Sequence, residues 1–428
     1  MMQKLHARFY PPGIVIEYLD GDVEQMREIE LPELSPVLDI PSLALKIMDA
    51  NPEFLPRHEM NLRSAIKQVR DAQYIEYNDF HEHKLVKPHV MPMISCCFNK
   101  NGDLFLTSSY DRTAKLYDTE SGRPISTFSG HTNAVYSCCF NLPVGSLVGT
   151  ASFDRTARIW DVMNAQCFHI LTGHTKEVVT IKFDSTSRYI VTGSIDSTCR
   201  VWDTETGSCL HTLDEHTGSI ATVEFQPKSD LIVSSSYDQT GRLWDRRTGD
   251  CVATLRGHRE DLSGAFFSSD GRQIVTSSLD GTARVWDVRQ TIALHVLRGH
   301  TGGIVSSCFS VNGKYVATGS ADKTAKIWCT DSGEIIHSCE GHKEEVNKVS
   351  FSPQSNRLLT ASDDCTCSLW DVDTGTRVEI LRGHTDLILN AEYNYNGDQI
   401  MTSSKDNTIR QWKATSSRQR NARILQVE

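Results

Sequence analysis

Serine, histidine and aspartate, the residue types of a hydrolytic triad, recur together about every 42 residues along this chain of 428. In such a triad the histidine takes a proton from the serine hydroxyl while the aspartate orients the imidazole. The histidines are His89, His131, His174, His216, His258, His300, His342 and His384. The serines are Ser109, Ser152, Ser194, Ser236, Ser278, Ser320, Ser362 and Ser404, and the aspartates are Asp111, Asp154, Asp196, Asp238, Asp280, Asp322, Asp364 and Asp406. Each unit closes with an aromatic residue, namely Tyr117, Trp160, Trp202, Trp244, Trp286, Trp328, Trp370 or Trp412.

The recurrence itself argues against catalysis, because eight equivalent sets cannot all be active sites. None of the serines lies in a Gly-x-Ser-x-Gly turn, which in hydrolases exposes the nucleophile. A structural network explains the pattern better. We expect each aspartate to accept the histidine N–H, each histidine to meet the serine hydroxyl, and each indole N–H to donate to that serine. Buried polar groups that satisfy one another in this way rigidify the unit that contains them.

The length of the repeat predicts the fold. A period near 42 residues, with Gly-His near the start and Trp-Asp at the end, is typical of WD40 propellers, in which each repeat forms a four-stranded blade. We therefore predict a mainly β fold, an eight-bladed WD40 β-propeller over residues 80–413. The last unit lacks an outer strand, and we expect residues 80–87 to supply it and close the ring. The alternative is that residues 422–427 take this position.

The first 79 residues do not fit the repeat and predict a small N-terminal α+β domain. Residues 13–19 and 23–31 flank an Asp-Gly pair, which suits the tight turn of a β-hairpin. Two helices are predicted to follow. The first covers about 41–50, with a proline in its first turn, and the second covers about 56–73, with apolar residues along one face.

Composition narrows the classes of function. The net charge of −10 argues against nonspecific nucleic-acid binding, which needs a basic surface. Residues 414–428 carry three arginines and predict a short, basic, flexible tail. Neither a transmembrane run nor a secretion signal is apparent, and the thirteen cysteines are scattered, so we expect reduced thiols in an intracellular protein that does not bind membranes. We predict no catalytic, metal or cofactor site, and we find no unique polar groups near the central channel.

One face of the propeller carries candidate binding residues. The loops that follow the histidines enter the inner strands, so they lie on the same face as the Ser-x-Asp turns. Acidic residues in these loops are Glu177, Glu260, Asp261, Glu344, Glu345 and Asp386, and aromatic residues before the aspartates are Tyr110, Phe153 and Tyr237. One interpretation is a solvated acidic rim with partly buried aromatic side chains. The other is a docking face for a protein partner with basic and apolar side chains, since aromatic residues are common interface anchors.

The N-terminal segment and the first repeats resemble one family within the WD40 proteins. The segment is Arg8-Phe-Tyr-Pro-Pro-Gly-Ile-Val-Ile-Glu-Tyr18, and the repeats contain Ser109-Tyr-Asp-Arg-Thr-Ala-Lys-Leu-Tyr-Asp118 and Ser152-Phe-Asp-Arg-Thr-Ala-Arg-Ile-Trp-Asp161. Together they resemble the dynein assembly factors with WD repeat domains, which are outer-arm dynein transport adaptors of cilia and flagella. The likeness extends from residue 8 to about 413 and leaves out the basic tail.

The resemblance implies a non-enzymatic cargo adaptor that links outer-arm dynein to the intraflagellar transport particle. It also implies a monomer located in the cytoplasm, the cilium or flagellum and the basal body region. A groove between the small domain and the propeller is then a candidate docking site, with Phe9 and Tyr10 as contributors, although both residues equally suit the core of the small domain. The alternative function is a generic WD40 scaffold, or a substrate receptor in a ubiquitin-ligase or signalling complex. A ubiquitin-ligase receptor predicts an F-box-like or coiled-coil N-terminus in place of a hairpin and two short helices.

Overall fold

The computed structural model describes residues 2–8, 12–20, 23–31, 39–51, 54, 58–73, 77–143, 145–227 and 229–416. The chain divides into two compact units. The larger unit spans Asp79–Ala414, and the smaller unit contains the residues up to Asn78 together with those from Thr415 onward. Each unit has hydrophobic clusters of its own.

The smaller unit contains a three-stranded antiparallel sheet and two helices. The strands Met2–Arg8, Gly13–Asp20 and Val23–Glu30 follow one another across the sheet. The helices run over Ile40–Ala50 and Glu59–Gln73. The hairpin and both helices confirm the predictions, although the second helix begins at Glu59 rather than near residue 56. The first strand is not predicted from the sequence, because its alternation of polar and apolar residues is weak and it pairs along one side only.

The core of the smaller unit lies between the sheet and the second helix. Ile14 and Ile16 of the middle strand alternate onto one face of the sheet, as residues two apart do. Leu62, Ile66 and Val69 follow one another at helical spacing and pack in the same cluster. All five side chains are fully buried. Burial of an aliphatic side chain of this size contributes about 1.5–3 kcal/mol, so this cluster supplies much of the stability of the unit.

The larger unit consists of eight four-stranded antiparallel sheets, called blades one to eight here. Within each blade we distinguish the inner, second, third and outer strand. In that order they are, for blades one to four, Met93–Phe98, Leu104–Ser109, Thr113–Asp118, Pro124–Ser129; Val135–Phe140, Leu147–Ser152, Ala157–Asp161, Cys167–Leu171; Val178–Phe183, Tyr189–Ser194, Cys199–Asp203, Cys209–Leu213; Ile220–Phe225, Leu231–Ser236, Gly241–Asp245, Cys251–Leu255. For blades five to eight they are Leu262–Phe267, Gln273–Ser278, Thr282–Asp287, Ala293–Arg298; Ile304–Phe309, Tyr315–Ser320, Ala325–Cys329, Ile335–Cys339; Val346–Phe351, Arg357–Ser362, Thr366–Asp371, Arg377–Arg382; Ile388–Tyr393, Gln399–Ser404, Ile409–Ser416, Tyr77–Val86.

The blades form a closed ring around a channel. The inner strand of each blade contacts the inner strand of the next, and that of blade eight contacts that of blade one. Side chains from all eight blades line the channel, which contains a cavity of about 840 Å³. The prediction of an eight-bladed propeller is therefore confirmed.

Neighbouring blades are joined by apolar side chains. In blade two, Ile159 lies on the third strand one residue before the closing tryptophan. It packs in one cluster with Val178 and Ile181 of the next inner strand and with Trp202 of the next third strand. Because both faces of a blade are covered by its neighbours, the second strands are buried at nearly every position instead of alternating.

Blade eight is completed by a strand from the other end of the chain. Its sheet has the order Ile388–Tyr393, Gln399–Ser404, Ile409–Ser416, Tyr77–Val86. The last of these strands contains residues 80–86, in the position that the sequence predicts for residues 80–87. Residues 422–427, the alternative, lie outside the described residues.

Three contacts hold this closing strand in place. The Phe80 side chain is 5% exposed and meets the ring of Tyr393 edge-on, at 6.3 Å between the ring centroids. The Phe80 backbone N–H donates to Glu379 Oε2 of blade seven at 2.9 Å. Glu82 forms an ion pair with Arg410 of the neighbouring third strand. An apolar anchor, a charge-assisted hydrogen bond and an ion pair thus combine with the strand ladder to close the ring.

Candidate protein-docking face

The recurring polar residues form a buried hydrogen-bond network in each blade. In blade two, His131 Nδ1 lies 2.8 Å from Asp154 Oδ2, and His131 Nε2 lies 2.8 Å from Thr150 Oγ1. The Trp160 indole N–H donates to the same Thr150 hydroxyl at 2.8 Å. An indole is only a donor, so the threonine hydroxyl accepts this bond and can donate its own proton to the neutral imidazole. The arrangement suits a histidine whose Nδ1 proton is donated to the aspartate.

The network repeats with little variation around the ring. The Nδ1–Oδ2 distances range from 2.6 to 3.1 Å. The Nε2–Oγ distances are 2.8 or 2.9 Å. The hydroxyl residues concerned are Thr107, Thr150, Thr192, Ser234, Thr276, Thr318, Thr360 and Thr402.

The prediction that the recurring serine bonds to the histidine and the indole is wrong. In blade two Ser152 Oγ instead accepts the Asp154 backbone N–H at 3.1 Å and donates to the Asn133 carbonyl at 3.1 Å. Thr150 is the residue that bonds to both His131 and Trp160. It lies two residues before Ser152, on the same face of the strand. Residues two apart share a face, so spacing alone cannot tell which hydroxyl lies beside the indole. Thr recurs two residues before each Ser, with Ser in blade four, so the sequence offers two hydroxyl residues in each blade for this role.

These networks are not built for hydrolysis. The eight histidine side chains are at most 1% exposed, and both ring nitrogens are engaged. The hydroxyl residues that they contact are fully buried. A substrate carbonyl cannot reach an oxygen in this position, so the networks act as braces between the loops and the strands of each blade.

The loops above these networks present an arc of apolar side chains. The residue between the recurring serine and aspartate is held by a backbone hydrogen bond to the loop after the histidine, such as Phe153 N–H to Ala134 O at 2.9 Å. The equivalent residues of blades one to eight are Tyr110, Phe153, Ile195, Tyr237, Leu279, Ala321, Asp363 and Lys405. The first five, which we call the apolar arc, cover five consecutive blades. The sequence analysis names only the aromatic residues at these positions and therefore misses Ile195 and Leu279. Aligning the eight repeats places both residues at the same position as Phe153.

The apolar arc is partly open to solvent and borders the channel. Tyr110 is 42% exposed, Tyr237 is 53% exposed and Leu279 is 51% exposed, which is high for apolar side chains of this size. Phe153 is half-buried because it stacks on Tyr136, with 5.1 Å between ring centroids and 16° between the planes. The arc residues of blades two to five also line the channel cavity. A broad, rigid apolar surface beside a cavity has the form of a docking site.

The predicted acidic residues lie on the same face but do not form a uniform rim. Glu260, Glu344, Glu345 and Asp386 are exposed, while Glu177 and Asp261 are half-buried. Their loops also carry basic residues, and Glu344 Oε2 lies 3.4 Å from the Lys323 ammonium. The face therefore bears both charges, and the apolar arc is its more distinctive feature. Phe9 and Tyr10 lie outside the described residues.

The channel contains charged residues that the sequence analysis does not predict. Lys182, Lys348 and Glu392 lie on three different inner strands and line its walls. They are missed because each inner strand has an irregularity between its first and third residues, which changes the side that faces the channel. Burial raises the pKa of the neighbouring Cys139 thiol to about 12, so that it stays protonated and is a poor nucleophile.

Sequence comparison supports the architecture seen here. The family described as WD domain, G-beta repeat matches residues 82–118, 122–161, 165–203, 207–245, 249–287, 292–329, 333–371 and 375–413, which is most of the chain. The chain belongs to this WD-repeat family. The matched segments each contain one outer strand followed by the inner, second and third strands of the next blade, which is the order predicted from the repeat.

Similar proteins include dynein assembly factors and a designed propeller. The protein named Dynein assembly factor with WD repeat domains 1 from Mus musculus is 39% identical over 149 residues, which are 34% of this chain and 36% of the mouse protein. Its Homo sapiens counterpart is 38% identical over 148 residues, with the same shares. The chain thus spans about a third of the length of these relatives, less than the likeness noted over residues 8 to 413. The crystal structure of the computationally designed Ika8 protein matches 78% of this chain and 99% of its own, with a TM-score of 0.70 and 26% identity.

The WD-repeat networks predict a stability that falls with acidification. Burial acts to raise the pKa of the Asp111 carboxyl, but hydrogen bonds from His89 and Thr113 outweigh it and lower that pKa to about 2. The unfolded value is about 3.9, so this stabilisation is present above pH about 4 and is lost as the pH falls towards 2.

Three network histidines, His258, His300 and His384, contribute at a higher pH, because burial lowers their pKa. Burial lowers the pKa of His258 below its ordinary value of about 6.5, so the unfolded chain takes up this proton first and folding weakens below that pH. We therefore expect the urea midpoint to be highest above pH 7, to decline from about pH 6.5, and to fall more steeply below about pH 4. A midpoint that stays level down to pH 4 would contradict the histidine contribution.

Two broader features of the described residues concern metals and membranes. No group of three or more histidine, cysteine or acidic side chains is placed to hold a metal ion in the part of the chain that the structure describes. None of the helices in the described ranges combines the length and the apolar character needed to span a membrane.

Proposed function

We propose that this WD-repeat protein is a non-enzymatic cargo adaptor that links preassembled outer-arm dynein to the intraflagellar transport machinery. The observation that carries the proposal is the similarity to proteins named as dynein assembly factors, at 39% identity. A propeller suits such a role because it offers a rigid face on which several loops meet. The expected location is the cytoplasm and the cilium or flagellum, including the basal body region, and the expected form is a monomer.

The apolar arc supports the adaptor role. Aromatic side chains that are held rigidly and half exposed supply large contact areas at a low entropic cost, and they recur at the centres of protein interfaces. The loops around the arc carry charges of both signs, which can set the orientation of a partner. We therefore propose this face, centred on Tyr110, Phe153 and Tyr237, as the docking site for one of the two protein partners.

Loss of the gene in a ciliated cell tests the function directly. We expect cilia that assemble but lack outer dynein arms in electron micrographs, with inner arms retained as the internal control. Cilia with a normal complement of outer arms would overturn the proposed function. Re-expression of the full chain should restore the arms, which excludes an indirect cause.

Replacing Tyr237 by alanine tests the docking face. We expect the capture of its partner, outer-arm dynein or the intraflagellar transport particle, to weaken roughly tenfold or more, because an aromatic anchor at an interface centre contributes at least that much. Val252→Ala is the matched control, since Val252 lies on the outer strand of the same blade and is also 53% exposed. Both variants should melt like the parent chain.

A charge-reversal variant separates the apolar arc from the acidic loops. If the partner contacts the loops of blade seven, E344K combined with E345K should also weaken its capture, and more so at low salt. Unaltered capture by this double variant would reject the acidic loops, and unaltered capture by Tyr237→Ala would reject the arc. Failure of the parent chain to capture either partner would count against the proposed function itself.

The alternative function is a generic WD-repeat scaffold, or a substrate receptor in a ubiquitin-ligase or signalling complex. The observation that favours it is the limited overlap with the dynein assembly factors, which covers 36% of the mouse protein. The propeller and the apolar arc suit any protein-binding role equally well. Normal outer arms after loss of the gene, together with capture of other proteins through the arc, would support this alternative.

A further inference from the structure

The interface between blade eight and blade one, which we call the closing seam, differs from the other seven in one buried position. This position directly precedes the closing aromatic residue of the third strand. The first seven blades carry aliphatic residues there, namely Leu116, Ile159, Val201, Leu243, Val285, Ile327 and Leu369. For blades one to six, this residue belongs to an apolar cluster that includes the next inner strand. Blade eight has Gln411, which is only 2% exposed.

The amide of Gln411 is buried without compensation. Neither its Oε1 nor its Nε2 has a hydrogen-bond partner among the described residues. The strand register places Gln411 opposite Met401, which forms an apolar cluster with Ile409 of the same blade and with Met93 and Phe105 of blade one. A buried amide that has lost its bonds to water costs the folded state free energy, whereas the aliphatic residues at the other seams gain it.

Two further polar groups at the closing seam are incompletely bonded. The Asn390 amide donates from Nδ2 to Cys96 O across the seam at 3.0 Å, but its own Oδ1 has no partner among the described residues. Blade one has Tyr117 where the other blades have tryptophan, and its hydroxyl reaches only to Pro88 O at 3.4 Å. In the other blades the indole N–H donates to the network hydroxyl at 2.8–3.1 Å. In blade one the bond from the closing aromatic residue to the network hydroxyl is therefore missing.

We infer that the closing seam is where the propeller opens. The unpaired amide of Gln411 lowers the free energy of separating blade eight from blade one relative to the separation of any other pair of blades. The outer strand Tyr77–Val86 is joined to the rest of blade eight by the strand ladder and by side-chain contacts with Tyr393 and Arg410 rather than by a short loop, so the blade can loosen without strain in a connection. The ring thus has a built-in gate, whose position is set by one polar residue in an otherwise apolar layer.

Hydrogen exchange of the full chain, followed by mass spectrometry, tests this inference. In the parent protein we expect amides in Gln399–Ser404 and Ile409–Ser416 to exchange at least tenfold faster than those of the equivalent strands Tyr189–Ser194 and Cys199–Asp203 in blade three. Gln411→Leu should slow exchange at the closing seam about tenfold, which corresponds to about 1.4 kcal/mol and lies within the cost of an unpaired buried amide. It should leave blade three unchanged.

Ile327→Gln is the matched variant, because it places the same side chain at the seam between blades six and seven. It should accelerate exchange in Ala325–Cys329 and Val346–Phe351 without altering the closing seam. If this variant does not fold, the comparison of the parent chain with Gln411→Leu decides alone. Uniform exchange across all blades of the parent protein, or unchanged exchange in Gln411→Leu, would overturn the inference.

Discussion

Replacement of Phe80 by alanine is expected to lower the free energy of unfolding of the propeller by about 3–5 kcal/mol, the usual cost of removing a buried aromatic side chain. The Phe80 ring is 5% exposed and packs edge-on against Tyr393. Its removal leaves a cavity between the closing strand and the inner strand of blade eight. Few neighbours can move in, because both strands are held by backbone ladders. The midpoint of thermal unfolding should fall by roughly 5 °C, given the unfolding entropy of a propeller of this size.

The closing strand provides its own control for this prediction. Leu85 lies on the same strand and is 46% exposed, so Leu85→Ala should change stability by no more than about 0.5 kcal/mol. Calorimetry of the two variants beside the parent protein makes the measurement. If Phe80→Ala melted like Leu85→Ala, strand Tyr77–Val86 would contribute little to ring closure.

Replacement of Asp280 by alanine is expected to lower the free energy of unfolding by about 3 kcal/mol, because it leaves several buried donors unpaired. The carboxylate accepts hydrogen bonds from His258 Nδ1 at 3.1 Å and from the Arg259 backbone N–H at 3.0 Å. It also accepts from Thr282, through the backbone N–H at 2.9 Å and the hydroxyl at 2.7 Å. The variant should lose these four bonds together, and its melting midpoint should fall by roughly 4 °C.

Asp280→Asn and Glu260→Ala distinguish the network from a general charge effect. The asparagine keeps the size and one acceptor oxygen, so it should be less destabilising than alanine. Glu260 is an exposed carboxylate on the same blade, and its loss should leave melting nearly unchanged. Unchanged melting of Asp280→Ala, or an equal loss with Glu260→Ala, would show that the recurring residues do not brace the blade.

The sequence predicts most, but not all, members of the hydrogen-bond network in a blade. The spacing of His131, Asp154 and Trp160 correctly predicts that they belong to one buried network. The prediction of the fourth member is wrong, since Thr150 makes the hydrogen bonds predicted for Ser152. Both hydroxyl residues lie on one face of a strand, and which of them meets the indole depends on the register of the neighbouring strand.

The candidate docking face was likewise predicted only in part from the sequence. The positions of Tyr110, Phe153 and Tyr237 on one face follow from the repeat. Their continuation through Ile195 and Leu279 into one arc beside the channel emerges when the blades are arranged in a ring. The sequence also suggests an acidic rim, whereas the three-dimensional arrangement brings basic side chains such as Lys323 among the acids.

The amino-acid sequence by itself determined the number of blades, the order of their strands and the histidine and aspartate members of the networks, because each repeat carries the same residues at the same spacing. It also indicated which strand closes the ring, since one outer strand is missing from the last repeat. Only the tertiary structure decided which hydroxyl completes each network, which inner-strand side chains face the channel, and that Gln411 lies unpaired within the closing seam. These features depend on strand register, on strand irregularities and on contacts between residues about three hundred positions apart, none of which a local repeat can encode.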